Sequence, residues 1–301
     1  MPDYGFGDYL QLILSGLSTG SIYVLVALGI VAIYSVTGII NLAQGEYTML
    51  GAMFAVTFTT WHFPLLLAFL ASIFVVILIG MVIERLTENP VRTASPVKLI
   101  IITVGVSIVI RGIALLVWGA TPYSLPEFSS GGPLNIFDAV VSRQRLWIMG
   151  TAALVLVFLY FLLERTLLGK ALRACAINQR AASLMGISPS QMSLFTFALS
   201  AALGAIAGIV IAPLTLVSYN MGLMLGLKGF VAAVIGGLLS APGAVIGGLL
   251  LGVLESLAAG LISSSLKDAI AFIVLLVVIF FRSEQVFMRV RARACLLYTS
   301  P

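Results

Sequence analysis

Long hydrophobic runs separated by short polar intervals fill almost the whole chain. Runs long enough to cross a bilayer lie at residues 10–34, 39–60, 65–83, 99–118, 146–163, 194–216, 230–262 and 269–281. A membrane-crossing helix needs about 20 apolar residues to match roughly 30 Å of hydrocarbon. The pattern therefore predicts an all-α, polytopic membrane protein of about eight hydrophobic units, with residues 1–293 in a single transmembrane domain.

The polar interval at residues 164–192 carries its own helix boundaries. Asn178 suits a helix N-cap, because its side-chain oxygen can accept a hydrogen bond from the first turn. Gly186 suits the position after a helix, since glycine adopts the left-handed conformation without strain. Ser188 followed by Pro189 suits the start of the next helix. The interval therefore predicts a short helix and then the beginning of a membrane span.

One face of that short helix is small and apolar. Ala181, Leu184 and Met185 fall at positions i, i+3 and i+4, which lie on the same side of a helix, beside Arg180. A helix of about seven residues is well below the roughly 12 to 15 that are marginally stable alone. It therefore needs a packing partner, either the protein's own spans or a soluble protein. An ordinary basic cytoplasmic loop is the alternative interpretation.

Lysine and arginine are concentrated in three polar segments. The segments contain Arg85, Arg92 and Lys98; Arg165, Lys170, Arg173 and Arg180; and Arg282, Arg289, Arg291 and Arg293. Cytoplasmic loops of membrane proteins carry an excess of these residues, so we place all three segments on the cytoplasmic side. Orientation in the membrane then explains the net charge of +5, and no nucleic-acid partner is expected.

This orientation creates a conflict in the C-terminal third. Three simple crossings after the interval at 164–192 would leave the C-terminal tail on the wrong side. The run at 230–262 is interrupted around Ser240, Pro242 and Gly243, and a half-helix of about ten residues is too short to cross. We therefore predict a re-entrant or broken helix here, covered by protein, because irregular backbone is not tolerated against lipid. A kink at Pro242 in one continuous tilted helix is the alternative.

A second irregular patch, at residues 37–46, places polar side chains among glycines. Asn41, Gln44 and Glu46 would be costly against lipid, so they are expected to face the interior or the headgroups. If the helix opens between Gly38 and Gly45, freed backbone groups could line a pathway. A cytoplasmic turn between the first two spans is an equal alternative on hydropathy alone.

Arg111 and Glu255 are two further charges within apolar runs. Ionisable groups inside a membrane are costly and usually paired, so Arg111 could pair with Glu255 or with Glu46. Snorkelling of the long arginine side chain to the interface is the competing interpretation.

The remaining chemistry of the chain is sparse. Hydrophobic residues make up 61% and charged residues 9% of the 301 residues, and the mean hydropathy is +1.17. The 29 glycines suit close helix packing in lipid. Cys175 and Cys295 lie far apart, and His62 is the single histidine, so we infer no disulfide framework and no metal site.

No enzyme motif lies in a suitable context. A G-x-S-x-G pattern at residues 16–20 falls inside an apolar helix, where small residues are better explained by close packing. Gly169 and Lys170 do not form a phosphate loop, because Ala171 follows them and no glycine precedes at the required spacing. We therefore expect no catalytic residue and no cofactor on this chain. If ATP drives the protein, another subunit binds it.

Several segments together carry a family resemblance. They cover residues 20–29, 38–46, 84–85, 90–92, 169–187 and 232–244, and the first two are GSIYVLVALG and GIINLAQGE. From about residue 8 to residue 281, the chain resembles the permease subunits of branched-chain amino-acid ABC importers, the LivH family.

The resemblance implies a function that composition does not show. Such permeases pair with a second, related permease, two cytoplasmic ATPase subunits and a periplasmic binding protein that delivers the amino acid to the bacterial inner membrane. The short helix would be the coupling helix that docks in a groove of an ATPase, whose closure would switch the spans between inward and outward access. Its coupling residues would be Arg173, Arg180, Ala181, Leu184, Met185 and Gly186.

Five intramembrane polar residues are candidates for the substrate pathway, because such groups commonly mark transport paths. They are Asn41, Gln44, Glu46, Arg111 and Glu255. The family commonly has histidine at the position of Gln44, and glutamine keeps a hydrogen-bonding side chain there.

The C-terminal end departs from the family pattern. Where the family usually has a Pro-Thr-Gly-like turn, this chain has Ser283-Glu284-Gln285 after Arg282. Residues 294–301 resemble no family ending and are treated as an atypical tail that carries no function.

Two other functions stay open at this point. A self-contained secondary transporter or channel would use the intramembrane charges without an ATPase. An ABC permease for urea or short-chain amides would share the same chain features, because in these systems the binding protein largely sets the specificity.

Overall fold

The computed structural model describes residues 5–88, 96–129, 131–136, 139–263 and 267–280. Arg92 and residues 281–301, which include the C-terminal basic tail, lie outside the described residues. The elements are α1 (Phe6–Thr37), α2 (Gln44–Thr60), α3 (Leu65–Ile83), α4 (Pro96–Trp118), β1 (Leu134–Ile136), β2 (Ala139–Val141), α5 (Arg143–Arg165), α6 (Leu167–Ile177), α7 (Gln179–Leu184), α8 (Pro189–Ile211), α9 (Met221–Gly236) and α10 (Ala241–Leu261). The described part of a last helix, α11, covers residues 267–280.

The predicted all-α, polytopic class is confirmed. Among the described residues, six helices are long and apolar enough to cross a membrane, namely α1, α3, α4, α5, α8 and α10. α2 and α9 are apolar but shorter, with 17 and 16 residues. The two strands form one small antiparallel hairpin between α4 and α5.

α1 is the central helix of the bundle. Its residues 20–31 are all buried, and it packs along α5, α8, α9 and α10. α10 comes very close through small residues: a Cβ atom added to Gly20 would lie 2.8 Å from the carbonyl oxygen of Gly248. Gly16, from the G-x-S-x-G pattern, lies in the same contact against Val253. Close packing of this kind holds helices together in lipid, where the hydrophobic effect between them is absent.

Between α1 and α2 the chain is non-helical inside the bundle. Gly38, with a φ of 72°, ends α1, and its N–H donates to Tyr34 O at 2.8 Å. Asn41 then supports the turn, since its Oδ1 accepts from Ala43 N at 2.9 Å, and both residues are buried. Gln44, the first residue of α2, contacts Gly29 of α1. Gly29 lies about 12 Å along the helix axis from the C-terminal end of α1, since an α-helix rises about 1.5 Å per residue. Asn41, Gln44 and Glu46 are therefore buried, as the interior interpretation predicts, whereas Gly38 at the start of the patch is exposed. A role of the patch in a transport path stays a prediction.

The interruption near Pro242 is a turn between two antiparallel helices. Gly237, with a φ of 88°, follows α9, and Ser240 caps α10 by accepting a hydrogen bond at Oγ from Gly243 N at 3.1 Å. Pro242 lies in the first turn of α10, where its missing N–H has no helical partner to lose. α9 and α10 meet through Gly236 and Gly243, which leave no room for side chains between them.

The predicted break in the run at 230–262 is confirmed, because α9 ends at Gly236 and α10 begins at Ala241. The alternative, one continuous helix kinked at Pro242, is wrong. A re-entrant course of the short helix α9 stays a prediction. α9 begins at Met221, nine residues before the predicted run, and α10 has 21 residues. The sequence pattern merged two helices because the turn between them contains small and apolar residues rather than a polar loop.

The extra helix offers a solution to the orientation conflict. After the interval at 164–192, the described part of the chain contains four helices, α8, α9, α10 and α11, and four crossings would bring residue 280 back to the starting side. The 16 residues of α9 rise about 24 Å, less than the hydrocarbon thickness. Its outer end is extended by the irregular residues 212–220, in which Val217 is fully buried and exchanges two 2.8 Å hydrogen bonds with Tyr123.

Candidate functional site

The intramembrane polar residues form two separate networks and not a single one. In the first, Ser107 Oγ donates to Glu46 Oε1 at 2.7 Å, and Arg111 Nε lies 3.2 Å from the same oxygen. Glu46 is 1% exposed and Arg111 is 23% exposed, so the arginine reaches inward to the carboxylate. This confirms the predicted pairing of Arg111 with Glu46 and connects α2 to α4.

The second carboxylate oxygen of Glu46 faces the start of α9. A Cβ atom added to Gly222 would lie 2.9 Å from this Oε2, which has no hydrogen-bond partner among the described residues. Gly222 and Gly226 also contact Gly45 of α2. The first network therefore lies where the broken helix meets the beginning of the short helix α9.

Gln44 binds α2 to α8 and α1. Its Nε2 donates to Ser200 O at 3.0 Å, and Ser200 Oγ lies within hydrogen-bond distance of Gln44 Oε1 and of Gly29 O. Asn41, which precedes Gln44 in the same patch, is also buried. Its Nδ2 has no hydrogen-bond partner in the described part of the chain. Most polar atoms of the patch thus stabilise the helix break.

The second network is centred on Glu255 in α10. Lys228 Nζ donates to Glu255 Oε1 at 2.5 Å, and the Tyr23 hydroxyl donates to Oε2 at 2.6 Å. Lys228 also lies 2.7 Å from Asp268, and Lys267 Nζ lies 3.8 Å from Glu255 Oε1. The network therefore joins α1, α9, α10 and α11, and the predicted pairing of Arg111 with Glu255 is wrong.

Lys228 and Tyr23 are the residues that sequence reasoning missed. The predicted run begins at Phe230, so it leaves Lys228 out, whereas the structure places Lys228 inside α9. A single lysine within the apolar segment GLMLGLKGF is the signal that could have identified it, since a cation there requires a counter-charge.

A cavity of about 250 Å³ lies next to the second network. It is bounded by α1, α10 and the start of α11, and Glu255 and Lys267 belong to its wall. Glu255, one of the five predicted pathway residues, therefore borders a space that could hold a solute.

The polar interval at residues 164–192, called the coupling segment from here on, has the helix caps that the sequence predicts. Asn178 Oδ1 accepts from Ala181 N at 3.1 Å at the start of α7. Gly186 follows α7 with a φ of 82°, and Ile187 N donates back to Ala182 O at 3.1 Å. Ser188 caps α8, with Pro189 in its first turn. These local bonds define both ends of the short helix α7 between α6 and α8.

The tip of the coupling segment is apolar and exposed. Leu184 and Met185 are 89% and 82% exposed, and Ile177 at the end of α6 is 87% exposed. Ala181 and Arg180 are exposed beside them. Arg173 instead lies 2.5 Å from Glu164 in an exposed ion pair, so it connects α6 to the end of α5. An exposed apolar tip on a short capped helix agrees with the predicted docking face.

The other side of the coupling segment packs against the membrane domain. Val36, Leu172, Cys175, Ala182 and Met192 form a small core between the segment and the ends of α1 and α8. Burial raises the pKa of the Cys175 thiol above its ordinary value. Gln179 Nε2 donates to Val36 O at 2.5 Å, which connects the first residue of α7 to the last turn of α1.

Comparison with known proteins identifies a family of transport permeases. The sequence model of the family described as "Branched-chain amino acid transport system / permease component" matches residues 12–279. BraD, a high-affinity branched-chain amino acid permease protein of Pseudomonas aeruginosa, is 34% identical over 91% of this chain and 94% of its own length. LivH of Escherichia coli K12 is 32% identical over 90% of this chain and 92% of its own. The probable LivH of Methanocaldococcus jannaschii is 30% identical over 79% of this chain and 77% of its own.

Proposed function

Because this chain belongs to the family of branched-chain amino acid transport system permease components, we propose that it forms the membrane path for such amino acids in an ABC importer. It is a multi-pass permease of the bacterial inner membrane. ATP would bind to partner subunits, since this sequence contains no phosphate loop. The full assembly would contain a second, related permease, two cytoplasmic ATPase subunits and a periplasmic binding protein, surrounded by lipid.

The observation that carries the proposal is the exposed apolar tip of α7 on the cytoplasmic side. Leu184 and Met185 would enter a groove of the ATPase subunit, with Ala181 allowing close approach and Arg180 at the rim. A helix of 6 residues keeps its shape here through its caps and the small core behind it. Movement of the ATPases would therefore displace a preformed element and not an unfolded loop.

Inside the membrane, the two charged networks support different parts of the proposed path. Asn41, Gln44, Glu46 and Arg111 would hold the broken helix between α1 and α2, the region that can rearrange when the coupling segment moves. Glu255 would take part in the path itself, because it borders the cavity beside α11.

A substitution on the tip of α7 tests the docking. In the permease co-expressed with its ATPase subunits, Leu184→Glu is expected to abolish co-purification and to lower ATP-driven leucine uptake at least roughly tenfold, because a buried unpaired charge costs several kcal/mol. Ser183→Glu is the matched control, since Ser183 is an exposed residue on another side of the same helix.

Three outcomes would contradict parts of the proposal. Normal co-purification and uptake of the Leu184→Glu variant would exclude α7 as the docking element. Uptake by the isolated chain along an ion gradient without ATP would establish a secondary transporter. Import of urea or acetamide and not leucine by the assembled complex would retain the ABC permease and change its substrate.

A further inference from the structure

The cavity beside α11 has the size and the lining of a small-molecule site. Its volume of about 250 Å³ would hold about eight water molecules at roughly 30 Å³ each. This is slightly less than the roughly 300–1,000 Å³ of pockets for drug-sized ligands, so it suits a smaller solute. Leu12, Ser15 and Thr19 of α1 form one wall, and Glu255, Ser256 and Lys267 form the opposite side and the mouth.

Lys267 provides a cation that pairs only loosely with Glu255 and makes no hydrogen bond within the described residues. Its side chain is 48% exposed, and its Nζ lies 3.8 Å from Glu255 Oε1, which is beyond hydrogen-bond distance. By contrast, Lys228 is buried and donates to Glu255 and Asp268. Within the described residues, the Lys267 ammonium is therefore the group that can bind an incoming anion at the cavity mouth.

Acceptor oxygens for a cationic group lie deeper in the cavity. Ser256 Oγ donates to Leu12 O at 2.7 Å, and Thr19 Oγ1 donates to Ser15 O at 3.1 Å. Each hydroxyl uses its single proton in this way and keeps its lone pairs for another donor. Glu255 has about four acceptor positions, of which Lys228 and Tyr23 occupy two.

The charge balance of the network favours a zwitterion over a net ion. Glu255 and Asp268 carry two negative charges, and Lys228 and Lys267 carry two positive charges. A solute with a net charge would leave one group uncompensated in a low-dielectric region, at a cost of several kcal/mol. A molecule that carries one ammonium and one carboxylate keeps the net charge of the network at zero. Leu12 in the cavity wall offers an apolar surface for a hydrocarbon side chain.

We propose that this cavity is a binding site for the α-amino acid during its passage, with the carboxylate on Lys267 and the ammonium on Glu255 and the hydroxyl oxygens of Thr19 and Ser256. This proposal rests on the proposed function, and it locates the binding site of the transported amino acid in this cavity. Because Lys267 and Asp268 lie in α11 and Asp268 is held by Lys228 of α9, occupation of the cavity would also change the contact between α11 and α10.

Protection of a cysteine in the cavity wall tests the proposal directly. The assembled complex carries Ser15→Cys together with Cys175→Ala and Cys295→Ser, and it is placed in nanodiscs of phosphatidylglycerol. The labelling rate by a methanethiosulfonate reagent is measured with and without L-leucine. Saturating leucine is expected to slow labelling by about tenfold, the effect of roughly nine-tenths occupancy.

Two analogues and two variants test whether the site requires both charged groups of the amino acid. The analogues 4-methylpentanoate, which lacks the ammonium, and 3-methylbutylamine, which lacks the carboxylate, are expected to give no protection. Lys267→Gln is expected to remove the protection by leucine. Lys98→Gln is expected to keep it, because Lys98 is an exposed lysine at the other end of the bundle.

Each remaining outcome separates this proposal from the proposed function. Active leucine import without any protection of Ser15→Cys overturns the cavity site and leaves the permease function intact. Protection by leucine in a complex that shows no ATP-driven import supports the site and overturns the function. Equal protection by both analogues, or protection by phosphatidylethanolamine nanodiscs without leucine, overturns the zwitterion site in favour of an apolar or lipid-headgroup site.

Discussion

At the scale of single residues, two carboxylates that are buried in the described part of the chain, Glu46 and Glu255, are paired with cations on other helices. Glu46 binds Arg111 across α2 and α4, and Glu255 binds Lys228 across α10 and α9. Removing one member of such a pair leaves an uncompensated charge, which is more costly than removing both. The two pairs therefore act as specific connections between helices.

Lys228→Met is expected to destabilise the protein by about 3–5 kcal/mol, because Glu255 would stay buried with only Tyr23 as a close partner. The double variant Lys228→Met with Glu255→Gln is expected to recover part of that loss. Thermal unfolding in detergent measures both. Arg173→Met is the control, since its pair with Glu164 is exposed and contributes at most about 1 kcal/mol. Equal destabilisation of the single and double variants would show that the charge is not the cause.

At the scale of elements, the coupling segment is attached to the helix that precedes the break. Gln179 of α7 donates to Val36 O, two residues before Gly38 ends α1. The same side of the segment packs through Ala182 and Cys175. A displacement of α7 is therefore passed to the end of α1 and to the irregular stretch in which Asn41 lies.

Gln179→Ala is expected to separate ATP hydrolysis from transport. Loss of one hydrogen bond costs about 0.5–1.5 kcal/mol, so leucine uptake per ATP is expected to fall by roughly two- to tenfold. Assembly and basal ATPase activity should stay normal, because the exposed tip is unchanged. Gln191→Ala is the matched control, since Gln191 is exposed at the start of α8. An unchanged ratio of uptake to hydrolysis in Gln179→Ala would exclude this connection.

At the scale of the whole molecule, the orientation follows from the basic loops and an even number of crossings after the coupling segment. The polar interval between α4 and α5 contains Tyr123, which pairs with Val217 between α8 and α9. Both segments therefore lie at the same end of the bundle, opposite to α7. We expect this end to face the periplasm.

Single cysteines test the orientation in a background with Cys175→Ala and Cys295→Ser. Ser124→Cys, exposed next to Tyr123, is expected to react with a membrane-impermeant maleimide in intact spheroplasts. Ser183→Cys, exposed on α7, is expected to react only in inverted vesicles. Labelling of Ser183→Cys in spheroplasts would invert the topology and would separate α7 from any cytoplasmic ATPase.

Local features of this protein could be predicted because they depend on neighbouring residues. Asn178, Gly186 and Ser188 cap helices through bonds that span three to five positions, and the apolar face of α7 follows from helical spacing. Membrane orientation follows from a simple excess of lysine and arginine. The sequence by itself therefore determined the all-α membrane class and the family, and it predicts the cytoplasmic coupling segment.

Only the tertiary structure decided which charges meet and where a solute can enter. Lys228 and Glu255 are 27 positions apart and come together because the turn at Gly237 folds α9 back along α10. Hydropathy did not reveal that turn, since its residues are as small and apolar as those of the helices. The sequence could not show whether Arg111 pairs with Glu46 or with Glu255. Pairing inside a bundle depends on which helices are neighbours and on how deep each side chain lies in the membrane. Both are set by long-range packing of glycine-lined surfaces.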